Sequence, residues 1–229
     1  LTSAYGLRLA AEKRPESIRY FWRHRLPKLL VPCVLANAVR MAAYAAGGSR
    51  VSPWMLAAIG GWVRWLLVCY LIFWLCYRFL PETYRDWAVC GLVAAFSLAV
   101  YLSKQSGTTW CPEVLGFAWG ILLGRWKNRF TDWTEKGWLA KNAGLCLLSG
   151  VLGVGYLMGK GIPFWGDYVL KIVLGMAILG LILGLNTKIS IGNRVSRLLG
   201  AISYEVFLLH DVSFFMLEKV FPGLNSGVF

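Results

Sequence analysis

Long apolar runs separated by short basic segments dominate this chain. The runs are Leu29–Ala46, Trp62–Leu80, Trp87–Leu102, Trp110–Gly124, Trp138–Met158, Phe164–Leu185 and Leu198–Phe221. Each approaches the roughly 20 residues that a helix needs to cross a hydrocarbon core, with Trp110–Gly124 short and Trp87–Leu102 only slightly longer. Several open on Trp, which suits the headgroup belt. Hydrocarbon offers no water to backbone N–H and C=O groups, so runs of this length must be helices. Leu1–Leu7 is apolar but too short to span, and it reads as the tail of a further helix. The expected fold is all-α: a polytopic transmembrane bundle of about seven full spans plus a partial N-terminal one, forming one domain over residues 1–229.

The charges test that span count. If the runs alternate across a bilayer, one side holds the loops Arg8–Lys28, Arg78–Asp86, Arg125–Lys141 and Lys188–Arg197. Those loops carry seventeen of the 24 Lys and Arg residues. The other side holds four, at Arg50, Lys104, Lys160 and Lys219, and Arg40, Arg64 and Lys171 lie inside runs. Such a bias is the positive-inside pattern, and a miscounted span would have scrambled it. The basic loops are therefore expected in the cytoplasm of a plasma (bacterial inner) membrane, with the C-terminus outside.

Composition agrees. Mean hydropathy is +0.57. Only 15% of residues are charged, against about a quarter in soluble domains. The net charge of +13 also raises nucleic acid as a partner. A nucleic-acid binder gathers its basic residues on one soluble face, however, and here they punctuate apolar runs. The six cysteines, Cys33, Cys69, Cys76, Cys90, Cys111 and Cys146, form no C-x-x-C pair and read as small buried residues, without a zinc site or disulfide framework. No metal is expected. The glycines of Gly144–Gly161 and Gly175–Gly184 point to close helix–helix approach. No phosphate-binding glycine loop sits between a strand and a helix. The chain begins without Met or a signal-peptide layout and is read as a fragment.

Three sets of residues are candidates for chemistry. Arg23, His24, Arg25 and Lys28 crowd the cytoplasmic mouth of the first full span, and Arg25 and Lys28, three apart, share a helical face. Pro27 suits a first helical turn, where its missing N–H costs nothing. These cations would dock a phosphate-bearing anion such as coenzyme A through charge-assisted bonds, or serve as topology signals drawn to anionic headgroups. In the last helix, A-I-S-Y-E-V-F-L-L-H-D, Ser203 and His210 lie two turns apart on one stripe, as do Tyr204 and Asp211, while Glu205 lies on another face. His210 falls near mid-membrane, where it should face the bundle interior as a proton carrier or an interhelical packing residue. Arg40, deep in its span, needs a partner or a wet cavity; Glu113 and Asp167 sit at outer helix ends and would line an external pocket, snorkel or pair structurally.

Four stretches together resemble the acyltransferase-3 family, polytopic membrane enzymes that O-acylate cell-surface carbohydrates. Ser3-Ala4-Tyr5-Gly6-Leu7 resembles the S-G-Y-G-L end of the family's second helix, with Ala4 in place of a glycine. Phe21 to Pro32 resembles its basic F-x-x-R-R-x-x-R-x-x-P entry to the next helix, with Lys28 where the second Arg of R-x-x-R is expected. Trp110 to Gly124, ending F-A-W-G-I-L-L-G, is similar to its W-Y-x-x-x-x-A-F-x-x-G-x-x-x-G helix. Ile191 to His210 is similar to its closing L-G-x-x-S-Y-E-x-Y-L-x-H signature.

The resemblance implies transfer of an acyl group, acetyl in the first instance, from cytosolic acyl-CoA to a hydroxyl of a cell-surface carbohydrate or similar acceptor. It makes Arg25 and Lys28, with Arg23, the expected donor-binding residues, and places Ser3, Tyr5, Arg40, Glu113, Ser203, Tyr204, Glu205 and His210 along the core. The Arg-to-Lys change exchanges a bidentate fork for a point charge. The family's catalytic histidine belongs to a first helix that would precede Leu1. On that reading no catalytic residue is assigned, His210 is a weak substitute, and the chain is expected to be inactive alone. Two alternatives remain: a transporter or flippase for a lipid-linked glycan or small solute, with Arg40, Glu113 and Lys171 along its path, and a non-catalytic membrane relic. Paired repeats with broken helices, common in such transporters, are absent from the sequence.

Overall fold

A computed structural model describes residues 2–103, 111–162, 164–189 and 194–220. These residues hold no β-strand. The helices are α1 (Thr2–Lys13), α2 (Phe21–Ala46), α3 (Gly61–Phe79), α4 (Glu82–Leu102), α5 (Cys111–Arg125), α6 (Lys127–Glu135), α7 (Trp138–Gly159), α8 (Lys171–Leu185) and α9 (Arg194–Val220). Short 3₁₀ turns cover Pro15–Ile18 and Pro53–Ala57, and one turn of π-helix, Trp165–Leu170, leads into α8. Every predicted apolar run coincides with a helix. Among the described residues, four helical stretches are both long and apolar enough to cross a membrane: Phe21–Ala46, Glu82–Leu102, Trp138–Gly159 and Tyr168–Leu185. On α7, Leu139 is 77% exposed, Leu147 71% and Met158 84%. An apolar helix left this bare has lipid as its natural solvent.

The segments between the runs are more ordered than expected. The loop Arg8–Lys28 shrinks, because α1 continues to Lys13 and α2 starts at Phe21. Pro27 and Pro32 therefore lie inside α2, not in its first turn, and each removes an i→i−4 bond. The segment Arg125–Lys141 contains α6, a polar helix.

The chain forms two compact units, Leu1–Phe21 with Gly61–Ser190, and Trp22–Gly60 with Ile191–Phe229. In the first, α5 is the hub: α1, α3, α4 and α8 all pack on it. This explains its lack of a polar face, since a helix surrounded by protein is apolar all round. Phe117, Ala118, Ile121 and Leu123 of α5 are buried, as are Ala4, Leu7 and Ala11 of α1. α4 turns Asp86, Val89, Val93 and Ser97 inward, a stripe at helical spacing. Phe73 is fully buried, stacked on Tyr77 with ring centroids 4.1 Å apart.

Glycine does bring helices together, at fewer positions than the sequence implied. A Cβ on Gly166 would sit 1.7 Å from the Gly159 carbonyl oxygen, so the π turn and the end of α7 touch backbone to backbone. A Cβ on Gly184 would lie 2.5 Å from Asn142 Oδ1. Gly144, Gly150, Gly153, Gly155, Gly161 and Gly175 face open space instead. Phe164, which opens the π turn, has φ 65° and ψ −54°, the strained region of a γ-turn. Its N–H donates to the Tyr101 hydroxyl at 2.8 Å and its ring stacks on Tyr168. Among the cysteines, Cys33, Cys69 and Cys76 are buried as expected, Cys90 is half-buried, and Cys146 is exposed on α7, contrary to the sequence reading.

Candidate functional site

In the second unit, α2 and α9 are joined by Tyr204. Its hydroxyl donates to the Leu29 carbonyl at 2.8 Å and lies 3.0 Å from Cys33 Sγ. Leu29 follows Lys28 directly, so the S-Y-E stretch of α9 is fastened to the helical turn next to the basic entry of α2. Pro27 and Pro32 leave the Arg23 and Lys28 carbonyls without their i+4 donors, and the Tyr204 hydroxyl fastens α2 one residue beyond the second gap. Lower on α2, buried Asn37 donates from Nδ2 to the carbonyls of Leu56 at 3.2 Å and Ala58 at 2.7 Å, holding the 3₁₀ turn at Pro53–Ala57. Nothing in the sequence singled out Asn37. A polar residue on the buried Cys33–Ala36 stripe was the available signal.

The cations of α2 stand at its start. Arg23 and Lys28 are exposed and Arg25 is half-buried, a placement open to a ligand. Arg40 is half-buried in the same helix. On α9, Ser203 is exposed and bonds the Gly200 carbonyl of its own helix at 2.9 Å. His210 is exposed as well, not turned inward as expected, so the Ser203–His210 stripe lies on one accessible face. The His210 Nδ1 contacts the Phe207 carbonyl oxygen. A carbonyl can only accept, so Nδ1 is the donor in this contact. Glu205 lies in α9 and Glu113 in α5, and the side chains of both, like those of Asp167 and Asp211, fall outside the described residues.

In the first unit, Ser3 Oγ and the Tyr70 hydroxyl are 2.6 Å apart, tying α1 to α3. One turn further along α1 lies a charge network that the sequence did not reveal. Asp86, 1% exposed at the start of α4, accepts from Arg8 Nε at 3.1 Å, from Arg125 Nη1 at 3.2 Å and from the Tyr77 hydroxyl. One carboxylate thus joins α1, α3, α4 and α5. Arg8 also bonds Glu12 at 2.6 Å. Burial works against the Arg8 charge, but the carboxylates of Asp86 and Glu12 outweigh it, so its pKa is raised and the guanidinium stays charged. Glycine permits the approach: a Cβ on Gly124 would meet Arg8 Cγ at 2.7 Å. In the sequence Asp86 is only the end of a basic loop, since spacing does not show which carboxylate a fold will bury.

Beside this network is a half-open cleft of about 220 Å³, lined by Tyr5, Leu123, Lys127, Phe130, Thr131, Leu183, Asn186 and Thr187. Its rim is fixed by the end of α8. The Gly184 carbonyl, orphaned at that helix terminus, accepts from Trp138 Nε1 at 3.0 Å and from the Thr187 hydroxyl at 2.8 Å. Among the described residues, no group of three or more His, Cys, Asp or Glu side chains could hold a metal ion.

Apolar helices bare of protein cover, basic segments between them and charged side chains gathered at helix ends define a multi-pass helical membrane protein. It belongs to the acyltransferase-3 family: the model of that family's acyltransferase domain matches residues 3–228, essentially the whole chain. Family membership implies an acyltransferase. No curated protein and no solved structure matches the chain.

Proposed function

We propose that this protein is a membrane O-acyltransferase that moves an acyl group, acetyl in the simplest case, from cytosolic acyl-CoA to a hydroxyl of a cell-surface carbohydrate or similar acceptor. The observation that carries the reading is the family match across residues 3–228. Two features support the finer points. The seventeen-to-four distribution of Lys and Arg favours cytoplasmic basic loops and about seven full spans. Arg23, Arg25 and Lys28, accessible at the start of α2 on that basic side, form a cationic mouth suited to the phosphates of the donor.

In the reaction the acceptor oxygen attacks the thioester carbonyl. A C–O bond forms, the C–S bond breaks, and the hydroxyl proton passes through a base to the departing sulfur, so coenzyme A leaves as the thiol. The base must lie within hydrogen-bond reach of that proton.

The test follows radiolabelled acetyl-CoA in membranes from cells that express the whole gene product and from cells that lack the gene. Alkali-labile label on envelope carbohydrate, present only with the gene, is the expected result. Movement of a glycan carrier across the membrane without any acyl transfer would overturn the reading in favour of a transporter.

A further inference from the structure

The half-open cleft at the basic end of the first unit lies where headgroups lie. Leu123 is in the last turn of α5 and Leu183 in the last turn of α8; Asn186 and Thr187 follow α8 directly, and Lys127 opens α6. These residues mark the level at which apolar helices give way to polar chain, which in a bilayer is the headgroup zone. The lining is mixed in character. Leu123, Leu183 and Phe130 are apolar, Tyr5 and Thr131 carry hydroxyl groups, and Asn186 and Thr187 close the end of α8. Lys127 is the charged group among the described lining residues, and no carboxylate opposes it.

Size narrows the occupant. Sites for drug-sized ligands begin at roughly 300 Å³. A cleft of about 220 Å³ takes a smaller group and leaves anything attached to it outside. One cation together with hydroxyl groups and apolar side chains matches a phosphodiester with hydrocarbon attached. We propose that this cleft binds the headgroup of an anionic phospholipid, with Lys127 on the phosphate and the acyl chains running along the exposed side of α8, at Ile178 and Ile182. The proposal does not depend on the proposed reaction.

The Asp86 network gives the cleft its rigidity. Arg8 is held against Gly124, next to Leu123, and Tyr5 lies one turn earlier on α1, so the carboxylate that fixes α1 on α5 also fixes two walls of the cleft.

The experiment uses the whole protein, purified in detergent, supplied with either phosphatidylglycerol or phosphatidylcholine and weighed by native mass spectrometry. The wild type is expected to retain phosphatidylglycerol and to lose phosphatidylcholine under the same activation. One lysine at an anionic surface contributes about 1 kcal/mol, so Lys127→Gln should lower phosphatidylglycerol retention about fivefold. Lys136→Gln, also exposed and outside the cleft, should leave retention within about twofold. Leu183→Trp, which fills the cleft from its lining, should abolish retention without lowering the melting temperature. Equal retention of the two lipids, or equal loss in Lys127→Gln and Lys136→Gln, would show diffuse surface attraction and overturn the proposal. Displacement of the lipid by millimolar inorganic phosphate or adenosine 3′,5′-bisphosphate would overturn it in favour of a soluble phosphate ligand.

Discussion

The Tyr204 hydroxyl donates to the Leu29 carbonyl at 2.8 Å, linking two stretches 175 residues apart in the chain. Both stretches belong to motifs through which the sequence resembles its family, the basic entry of α2 and the closing S-Y-E helix. One physical function of this tyrosine is therefore to secure a proline-interrupted helix beside Lys28. Tyr204→Phe keeps the ring and removes only the bond. The expected loss is about 1 kcal/mol, within the range for hydrogen bonds between membrane helices. It would appear as a lower unfolding midpoint in detergent, and an unchanged midpoint would show that the bond contributes nothing.

Removing the Asp86 charge should be costlier. Asp86→Asn leaves Arg8 and Arg125 facing a neutral amide in a site where the carboxylate is buried. Breaking a buried pair costs about 3–5 kcal/mol, and the partial exposure of Arg125 places the loss toward the lower end. The double variant Arg8→Gln/Asp86→Asn should lose less than the two single losses combined, since only Arg125 is then left without its carboxylate. Strict additivity in thermal unfolding would refute the coupling. The Arg8 contribution should not vary across neutral pH. Its pKa is raised, so the stability it brings is fully present below the unfolded value and disappears only above the folded one, in strong alkali.

Two glycines of similar sequence context should respond in opposite ways. Gly166→Ala puts a methyl group into the Gly159 carbonyl oxygen and forces the π turn away from α7, at an expected cost of about 3 kcal/mol or more. Gly175→Ala meets nothing within 4 Å and should be neutral or stabilising by up to about 1 kcal/mol, because alanine favours helix. Comparable melting temperatures for the two variants would refute this description of the α7–α8 junction.

The proposed donor mouth makes a kinetic prediction. Lys28→Gln should raise the KM for acyl-CoA about tenfold with little change in kcat, as expected when binding is lost equally in ground and transition states. Lys28→Arg, which restores a planar fork for phosphate, should lower KM below the wild-type value. A fall in kcat with unchanged KM in both variants would place Lys28 away from the donor.

Orientation can be read by labelling single introduced cysteines in a cysteine-free background. Lys136→Cys, between α6 and α7, should react only with reagent admitted to the cytoplasm, and Gly161→Cys, beyond α7, only with reagent outside. The reverse pattern would invert the proposed topology.

That the chain is helical and lies in a membrane follows from its apolar runs alone, because hydrocarbon leaves the backbone no alternative and the length of a run is visible without any contact. The family is equally legible, through short motifs whose residue types survive at fixed spacing. Which polar groups meet depends on how the helices pack. Asp86 looked like one more loop charge until α1, α3 and α5 closed around it. Tyr204 was placed along the core, yet only the packed unit shows its hydroxyl on Leu29. His210 was expected to face inward and is exposed, and most glycines expected at helix contacts touch nothing. Run length is a property of one segment and can be read locally. A partner is a property of two segments, set by the rotation of each helix about its axis, and it emerges only when the faces are packed together.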